Sequence, residues 1–309
     1  MTRTTTAALI AAGLLTLAGC SASGAGTATT SSAPEGAGEA SEQTTANAEL
    51  VTDFVTQAFV DRDYRAAAER YLDDDYIQHS PAVPGGADGF VEGIGSYLDS
   101  VPELRVDIAR VVAEGELVLV QSHMVPGPGA RGSAVMDIFR VSDGRIAEHW
   151  DAVQEVPEDS ANGHTMVDGT TERTATTDEQ RERNRSNALA FLDTAFNDAE
   201  FAAAVDRYVG EPYIQHNPLV ADGGDAFVEA FAGATPSSGE DATVFPRTIA
   251  QDDLVAVQTF TPSGTGMAGS GSIDIFRFDA DGLIVEHWDA VQEYPAETAS
   301  GLTVWDDER

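Results

Sequence analysis

An acid, two histidines and two aromatic residues occur at spacings that could support proton transfer. Asp137 and Phe139 lie in one apolar run, and Trp150 follows thirteen residues after Asp137. His79 and His123 precede them. An acid and imidazoles that converge on an apolar pocket can move protons to and from a carbon acid. These residues are therefore candidates for general acid/base catalysis. The competing interpretation is a structural network, in which the acid bonds a neighbouring arginine or backbone amide and His79 caps a turn.

A β-hairpin must position the acid and the tryptophan. Asp143-Gly144 is a typical two-residue hairpin turn. With that turn, Asp137 falls opposite Trp150, and we expect the face that carries Asp137, Phe139 and Trp150 to line the pocket. A bulge would exchange the two faces. The opposite face carries His149 and Asp151.

The chain contains an internal repeat. EHWDAVQE occurs at residues 148–155 and again at 286–293, and YIQHSP at 76–81 returns as YIQHNP at 213–218. The spacing between equivalents is 137 residues before the Asp-Gly turn and 138 after it. A three-residue turn at 280–282 would absorb the extra residue and keep Asp274 opposite Trp288. The second unit thus repeats the candidate residues as His216, Asp274, His287, Trp288 and Asp289.

Each unit has the pattern of helices followed by strands. Apolar residues recur at helical spacing in its first part, and β-type runs separated by Gly-containing turns follow. This order predicts an α+β fold: in each unit, three N-terminal helices pack on a curved, mainly antiparallel sheet. In the first unit we expect helices from residue 50 to 60, 64 to 72 and 89 to 98. We expect strands at 104–113, 117–125, 133–141 and 146–154.

The N-terminus has the pattern of a targeting segment. Arg3 precedes a short apolar stretch that ends in Leu-Ala-Gly-Cys at 17–20. This ending resembles the lipobox of bacterial lipoproteins, which implies acylation of Cys20 and anchoring in the cell membrane on the extracytoplasmic side. Cys20 is the only cysteine, so an internal disulfide is excluded.

The rest of the chain divides by composition. We expect a signal peptide at 1–19, a disordered tether at 20–47, domain 1 at 48–168, a linker at 169–180 and domain 2 at 181–309. The tether lacks the large apolar residues needed to offset its ordering entropy. The formal net charge is −35, which argues against nucleic acid as a partner.

Taken in order, YIQH…P, DIFR…DGRI and EHWD resemble the SnoaL-like polyketide cyclases of the nuclear transport factor 2 superfamily. The resemblance implies a cone-shaped barrel in each half and a catalytic aspartate that needs no cofactor. It places Asp137 as the acid/base, with His123 and His79 beside it. The substrate-binding residues that we expect are Tyr76, Phe139, His149, Trp150 and Asp151.

The second unit departs from this pattern. Phe260 stands where unit one has His123, and Ser300 and Leu302 replace Asn162 and His164 of unit one. The two units could have different substrates, or one could be active and the other supporting; the second interpretation is favoured, with unit one active.

Two functions follow from the sequence. The first is cofactor-independent acid/base catalysis on a small hydrophobic carbonyl compound by a lipoprotein. The alternative is a non-catalytic lipoprotein that binds a small ligand or supports another envelope protein. We expect no cofactor and no metal, although His79, His123 and Asp137 could form a two-histidine, one-carboxylate site. Since domains of this superfamily commonly pair through their sheets, we expect a monomer with an internal pseudo-dimer.

Overall fold

The computed structural model describes residues 35–263 and 267–306. The predicted signal peptide and Cys20 lie outside the described residues. Within the described part, no helix combines the length and apolar character that crossing a membrane requires.

Domain 1 consists of three helices and a five-stranded sheet, so the predicted α+β class is confirmed. Two helices precede the first strand in the chain, and the third follows it. The sheet order is β1-β5-β4-β3-β2; β1 runs parallel to β5, and the other neighbours are antiparallel. The helices are α1 (Glu35–Val55, continued by a π-helical turn at Thr56–Val60), α2 (Tyr64–Tyr71) and α3 (Gly86–Ser100). The strands are β1 (Leu72–Gln78), β2 (Arg105–Glu114), β3 (Leu117–Val125), β4 (Ser133–Ser142) and β5 (Arg145–Glu155).

Domain 2 repeats this arrangement with the sheet order β6-β10-β9-β8-β7. Its helix α4 begins with a capping box in which Thr177 and Gln180 bond each other's backbone amides. The helices are α4 (Asp178–Leu192, with a π-helical turn at Asp193–Asn197), α5 (Phe201–Tyr208) and α6 (Gly224–Ala230). The strands are β6 (Val209–Gln215), β7 (Val244–Gln251), β8 (Leu254–Pro262), β9 (Met267–Phe278) and β10 (Ile284–Pro295).

Two elements differ from the sequence-based expectation. The predicted tether at 20–47 is wrong from Glu35 onward, because α1 begins there. Asn47 on this helix is buried and donates to the Gly115 carbonyl, so the helix packs on the β2–β3 turn. Strand β1 was not predicted: Asp73, Asp74 and Asp75 fill its centre, as an edge strand tolerates.

The two sheets pack against each other through their outer faces. Their shared core contains Ile138 and Trp150 from domain 1 and Ile275 and Trp288 from domain 2. The helices of each domain cover the other face of its own sheet, where a separate apolar core forms. The expected internal pair of domains is therefore present in one chain, and the monomeric state stays a prediction.

Two irregular segments cross between the domains. Residues 156–177, which we call the linker strap, run over domain 2, and residues 296–306, the tail strap, run over domain 1. Arg110 of β2 donates to the carbonyls of Val167 and Asp168 in the linker strap. Arg247 of β7 donates to the carbonyls of Trp305 and Asp306 in the tail strap. Each strap thus ties one sheet to the other.

Candidate functional site

A bulge near the turn decides which side chains enter each pocket. In domain 1 the turn pairs Ser142 with Arg145 as predicted, but the register shifts between the Val141 and Arg140 pairs. Asp137 consequently lies opposite Asp151, and Trp150 lies opposite Ile138. The predicted pairing of Asp137 with Trp150 is wrong, because Ala147 is the extra residue of β5 and reverses the parity of the strand.

Domain 2 has the same bulge after its longer turn. The Asp279 amide donates to the Leu283 carbonyl, as the three-residue turn requires. The register then shifts, so Asp274 lies opposite Asp289 and Trp288 opposite Ile275. The predicted pairing of Asp274 with Trp288 is therefore wrong for the same reason.

The bulge divides the repeated motif between two faces. Tyr76, Asp137, Phe139, His149 and Asp151 line the domain 1 cavity. Trp150 lies on the other face in the core between the sheets, and its Nε1 donates to the Asp306 carbonyl at 3.1 Å. Of the expected substrate-binding residues, Trp150 is thus the one that the structure places away from the pocket.

The structure does not bring His79 and His123 to Asp137. Buried His79 contacts Glu148 through Nε2 at 2.9 Å and stacks on the Trp150 ring. His123 lies opposite Ala134, on the face away from the cavity, and bonds the Arg131 carbonyl. The proposed metal site of His79, His123 and Asp137 therefore does not form.

In domain 2, His216 has the same structural setting as His79. Its Nε2 contacts Glu286 at 3.1 Å, and its ring stacks on Trp288 at 4.9 Å. Both histidines support the interface between the sheets, whereas the alternative interpretation had His79 as the cap of a turn.

An aspartate–histidine pair lies inside each cavity. His287 Nε2 is 3.0 Å from Asp274 Oδ1, and His149 Nε2 is 3.0 Å from Asp137 Oδ1. All four residues are buried. In each domain the pair sits on two neighbouring inner strands of the sheet, β4 and β5 or β9 and β10, whose ladder hydrogen bonds fix the backbone that carries it.

A glutamine fixes the tautomer of each histidine. Gln215 Oε1 accepts from the Asn217 amide at 2.8 Å, which settles the orientation of the carboxamide. His287 Nδ1 lies 2.8 Å from the same oxygen and must donate to it. Nε2 therefore faces Asp274, and one proton can be shared between the two. Gln78 does the same for His149 in domain 1.

A second aspartate in each cavity keeps one oxygen free. Asp289 is 5% exposed; its Oδ2 accepts from Asn217 Nδ2, and its Oδ1 is buried with no hydrogen-bond partner in the described chain. Burial raises the pKa of Asp289 to about 6, against the lowering effect of His287 and with a further rise from Asp274. Asp151 also has an unpartnered Oδ1, and burial raises its pKa.

A tyrosine hydroxyl completes each cluster. Gln215 Nε2 donates to the Tyr213 hydroxyl at 3.2 Å, so the phenolic proton is free to point elsewhere. Burial, together with Asp289 and Asp274, raises the pKa of Tyr213. The hydroxyl therefore stays protonated and can donate a hydrogen bond to a ligand. Tyr76 is placed likewise beside Gln78, and its pKa is also raised by burial.

The two cavities differ in size and in one wall. The domain 2 cavity has a volume of about 530 Å³, and the domain 1 cavity about 260 Å³. Several phenylalanine rings line each cavity. Where domain 1 presents Val135 and Met124, domain 2 presents Ser272 and Thr261. The domain 2 cavity is therefore larger and has hydroxyl groups on one wall.

The same residues offer donor atoms for a metal ion. In domain 2, one ligand atom each from Asp274, His287 and Asp289 lie within 4.8 Å of one another, and domain 1 has the equivalent trio. A cation there would have to displace the proton that His287 and Asp274 share. This makes sensitivity to chelators a necessary control in any assay of the site.

Sequence reasoning named most of these residues but missed four, which are Gln78, Tyr213, Gln215 and Asn217. Gln215 and Asn217, with Gln78 in domain 1, orient the histidine and the free aspartate. Their signal was the repeated YIQH motif, in which Gln is followed two residues later by Ser80 or Asn217. The His and Asp of EHWD lie two apart in a strand, a spacing that places both on one face.

Comparison with known proteins identifies the family. The SnoaL-like domain model matches residues 51–149 and again 188–287, more than half of the chain. The chain therefore belongs to the SnoaL-like domain family and carries two tandem copies. The chain has no significant sequence match among curated proteins.

Solved structures similar to this chain include three from bacteria. A protein of Jannaschia sp. assigned to the SnoaL-like polyketide cyclases is 21% identical, with 36% of this chain and 87% of that chain covered and a TM-score of 0.32. A protein of Streptomyces laurentii, TsrD, is 25% identical, with coverages of 35% and 88% and a TM-score of 0.30. One of Kribbella flavida, assigned as a ketosteroid isomerase, is 16% identical, with coverages of 37% and 81% and a TM-score of 0.31.

Proposed function

We propose that this SnoaL-like protein is a cofactor-independent acid/base catalyst that acts on small hydrophobic carbonyl compounds, by aldol cyclisation, isomerisation or a related reaction. The observation that carries the proposal is Asp289: a buried carboxylate with a free oxygen in an apolar cavity, beside a tyrosine hydroxyl that can donate. A base and a hydrogen-bond donor in one largely apolar site are what enolisation requires.

The roles of the residues follow from their hydrogen bonds. Asp289 takes the proton from the carbon next to the carbonyl, since one of its carboxylate oxygens has no hydrogen-bond partner in the described chain. Tyr213 donates to the carbonyl oxygen and stabilises the negative charge that develops there. The proton shared by His287 and Asp274 lies in the same cavity, where it can be returned to the enolate. Asp151, Tyr76, His149 and Asp137 have the same roles in domain 1.

We expect this activity to be measurable without knowing the natural product of the reaction. Catalysed exchange of the methyl protons of 2-acetylnaphthalene for deuterium, followed by NMR, reports proton abstraction alone. We expect the exchange rate to rise with pH and to level off above about pH 6, because only ionised Asp289 is a base. The rise should be visible in a chain that carries Asp151→Asn, which removes the base of domain 1.

A chelator is the control for this experiment. Exchange that persists unchanged in EDTA supports acid/base catalysis over catalysis by a metal ion bound to Asp274, His287 and Asp289. A protein that binds 2-acetylnaphthalene and never exchanges its protons would be a binder, which is the alternative function. Loss of exchange on chelation, with recovery on adding a divalent metal, would contradict the proposal.

The proposal includes a location. The apolar stretch and Leu-Ala-Gly-Cys at 17–20 support a lipoprotein held at the extracytoplasmic side of the cell membrane through Cys20. Cys20→Ala should abolish lipid attachment, so the protein should leave the membrane fraction or accumulate as an unprocessed precursor. Fractionation and intact mass measure this. A Cys20→Ala protein that is normally processed and still membrane-bound would show the anchor to be elsewhere.

A further inference from the structure

One residue of the domain 2 cavity comes from domain 1. Gln154, on β5, lines that cavity, whereas every other residue that lines it in the described chain belongs to domain 2. Its Oε1 accepts from the Val291 amide at 2.8 Å, across the interface between the sheets. With one lone pair of the oxygen engaged, the carboxamide still offers its two N–H groups as donors to a ligand.

The arrangement is asymmetric between the domains. Gln292 is the repeat equivalent of Gln154, and its Oε1 accepts from the Val153 amide at 2.8 Å. The residues that line the domain 1 cavity in the described chain, however, all belong to domain 1. Gln154 and Gln292 therefore make the same interface bond, but of the two only Gln154 lines either of these cavities within the described residues.

Gln154 lies at the outer end of the cavity. Val291, which it bonds, is 40% exposed, whereas Asp289 is 5% exposed. Asp289 and Val291 are two positions apart in the strand, which corresponds to about 7 Å. Ser270 and Thr261 also line the cavity. Ser270 lies on β9, next to β10, and Thr261 lies on β8, one strand further. A second polar region thus lies outward from the acid/base cluster. Ser272, which lies opposite Val291 and donates to Asp274 at 2.6 Å, connects the two regions along the cavity wall.

We infer that Gln154 completes the domain 2 site from the other domain, and that this site takes an elongated carbonyl compound with a second hydrogen-bond acceptor remote from the reacting carbonyl. The orientation of the bound compound rests on the proposed function, which places the reacting carbonyl at Tyr213 and Asp289. The amide of Gln154 binds the remote acceptor. The smaller domain 1 cavity lacks this group and takes a shorter, more apolar compound.

Two nearly isosteric probes test the inference through binding alone. The first is 2,6-diacetylnaphthalene, whose second acetyl group is an acceptor, and the other is 2-acetyl-6-isopropylnaphthalene, which lacks it. Calorimetric titration of the full chain gives the affinity for each. Gln154→Glu keeps an oxygen for the Val291 amide but loses the N–H donor. We expect it to weaken diacetyl binding about fivefold relative to the isopropyl probe, as for one hydrogen bond.

Gln292→Glu is the matched control, because it makes the same change at the interface without touching a cavity. It should leave the ratio of the two affinities unchanged. Three results would overturn the inference. Gln154→Glu could weaken both probes equally, Gln292→Glu could change the affinity ratio as much as Gln154→Glu does, or neither probe could bind at the domain 2 site. Because the readout is affinity, its failure is separate from a failure to exchange protons, which concerns the proposed function.

Discussion

Asp289→Asn, made in a chain that already carries Asp151→Asn, is expected to lower the rate of α-proton exchange by about 10²–10⁴-fold, the usual effect of losing a general acid or base. The asparagine keeps an oxygen that can accept from Asn217, so the shape of the site is preserved. It cannot take a proton at Oδ1. The first substitution is needed because Asp151 gives domain 1 a base of its own. NMR exchange rates and circular dichroism measure activity and folding.

Asp281→Asn is the control for this pair of changes, because Asp281 is an exposed residue of the hairpin turn and its substitution alters charge without touching the cavity. It should leave the exchange rate unchanged. If the doubly substituted chain exchanges protons as fast as the parent while staying folded, these aspartates are structural residues and the protein is a binder.

The single substitutions decide how the two domains share the work. The sequence favoured domain 1 as the active unit, because Phe260 replaces His123 in domain 2. In the structure His123 faces away from its cavity, and Phe260 stacks on Trp305 and does not line the cavity of its domain in the described chain. That difference therefore gives no reason to rank the domains. The larger cavity favours domain 2, so Asp289→Asn alone should cost more activity than Asp151→Asn alone.

The fold could be predicted because its signals are local and occur twice. Helical periodicity, β-type runs and Asp-Gly turns each depend on neighbouring residues, and the repeat confirmed that each half is a complete unit. The pocket face could not be predicted, because it depends on a single bulged residue in each domain. Ala147 and Val285 are ordinary strand residues, yet each reverses the parity of its strand.

The bulge also explains what the repeated EHWD contributes. His287 and Asp289 enter the cavity, whereas Glu286 and Trp288 face the other way. Glu286 bonds His216 and Arg277, and these two contacts lower its pKa despite the burial that opposes them. One short segment thus supplies the polar residues of a cavity and part of the interface between the domains. Each domain uses its own copy for these two roles.

The straps could not be predicted from their composition. Residues 156–177 are mostly polar and small, which is typical of a linker. Their contacts to Arg110 and Arg277 are made by backbone carbonyls of residues such as Asp168 and Thr170. Carbonyl groups are the same in every residue, so the sequence carries no mark of these bonds. Buried arginines would have indicated that backbone carbonyls bind them. Their burial, however, follows from the pairing of the two sheets and cannot be inferred from the sequence.

Trp288→Ala is expected to lower the free energy of unfolding by about 3–5 kcal/mol, the range for removing a fully buried tryptophan. The Trp288 side chain is fully buried between the sheets. The Arg110 guanidinium lies 3.9 Å above its ring, and Nε1 donates to the Asp168 carbonyl of the linker strap at 2.8 Å. Alanine removes all of these contacts and leaves a cavity lined by side chains of both domains. Urea denaturation measures the loss.

Trp150→Ala should cost a similar amount, because Arg247 lies 3.5 Å above that ring and the tail strap accepts from its Nε1. Leu219→Ala is the control: Leu219 is 78% exposed, so its loss should change the free energy of unfolding by less than about 0.5 kcal/mol. Because each tryptophan joins two sheets and a strap, either alanine variant should destabilise both domains together. A variant in which one domain unfolds at its original urea concentration would show that the domains are stable independently, and that the interface between the sheets contributes little.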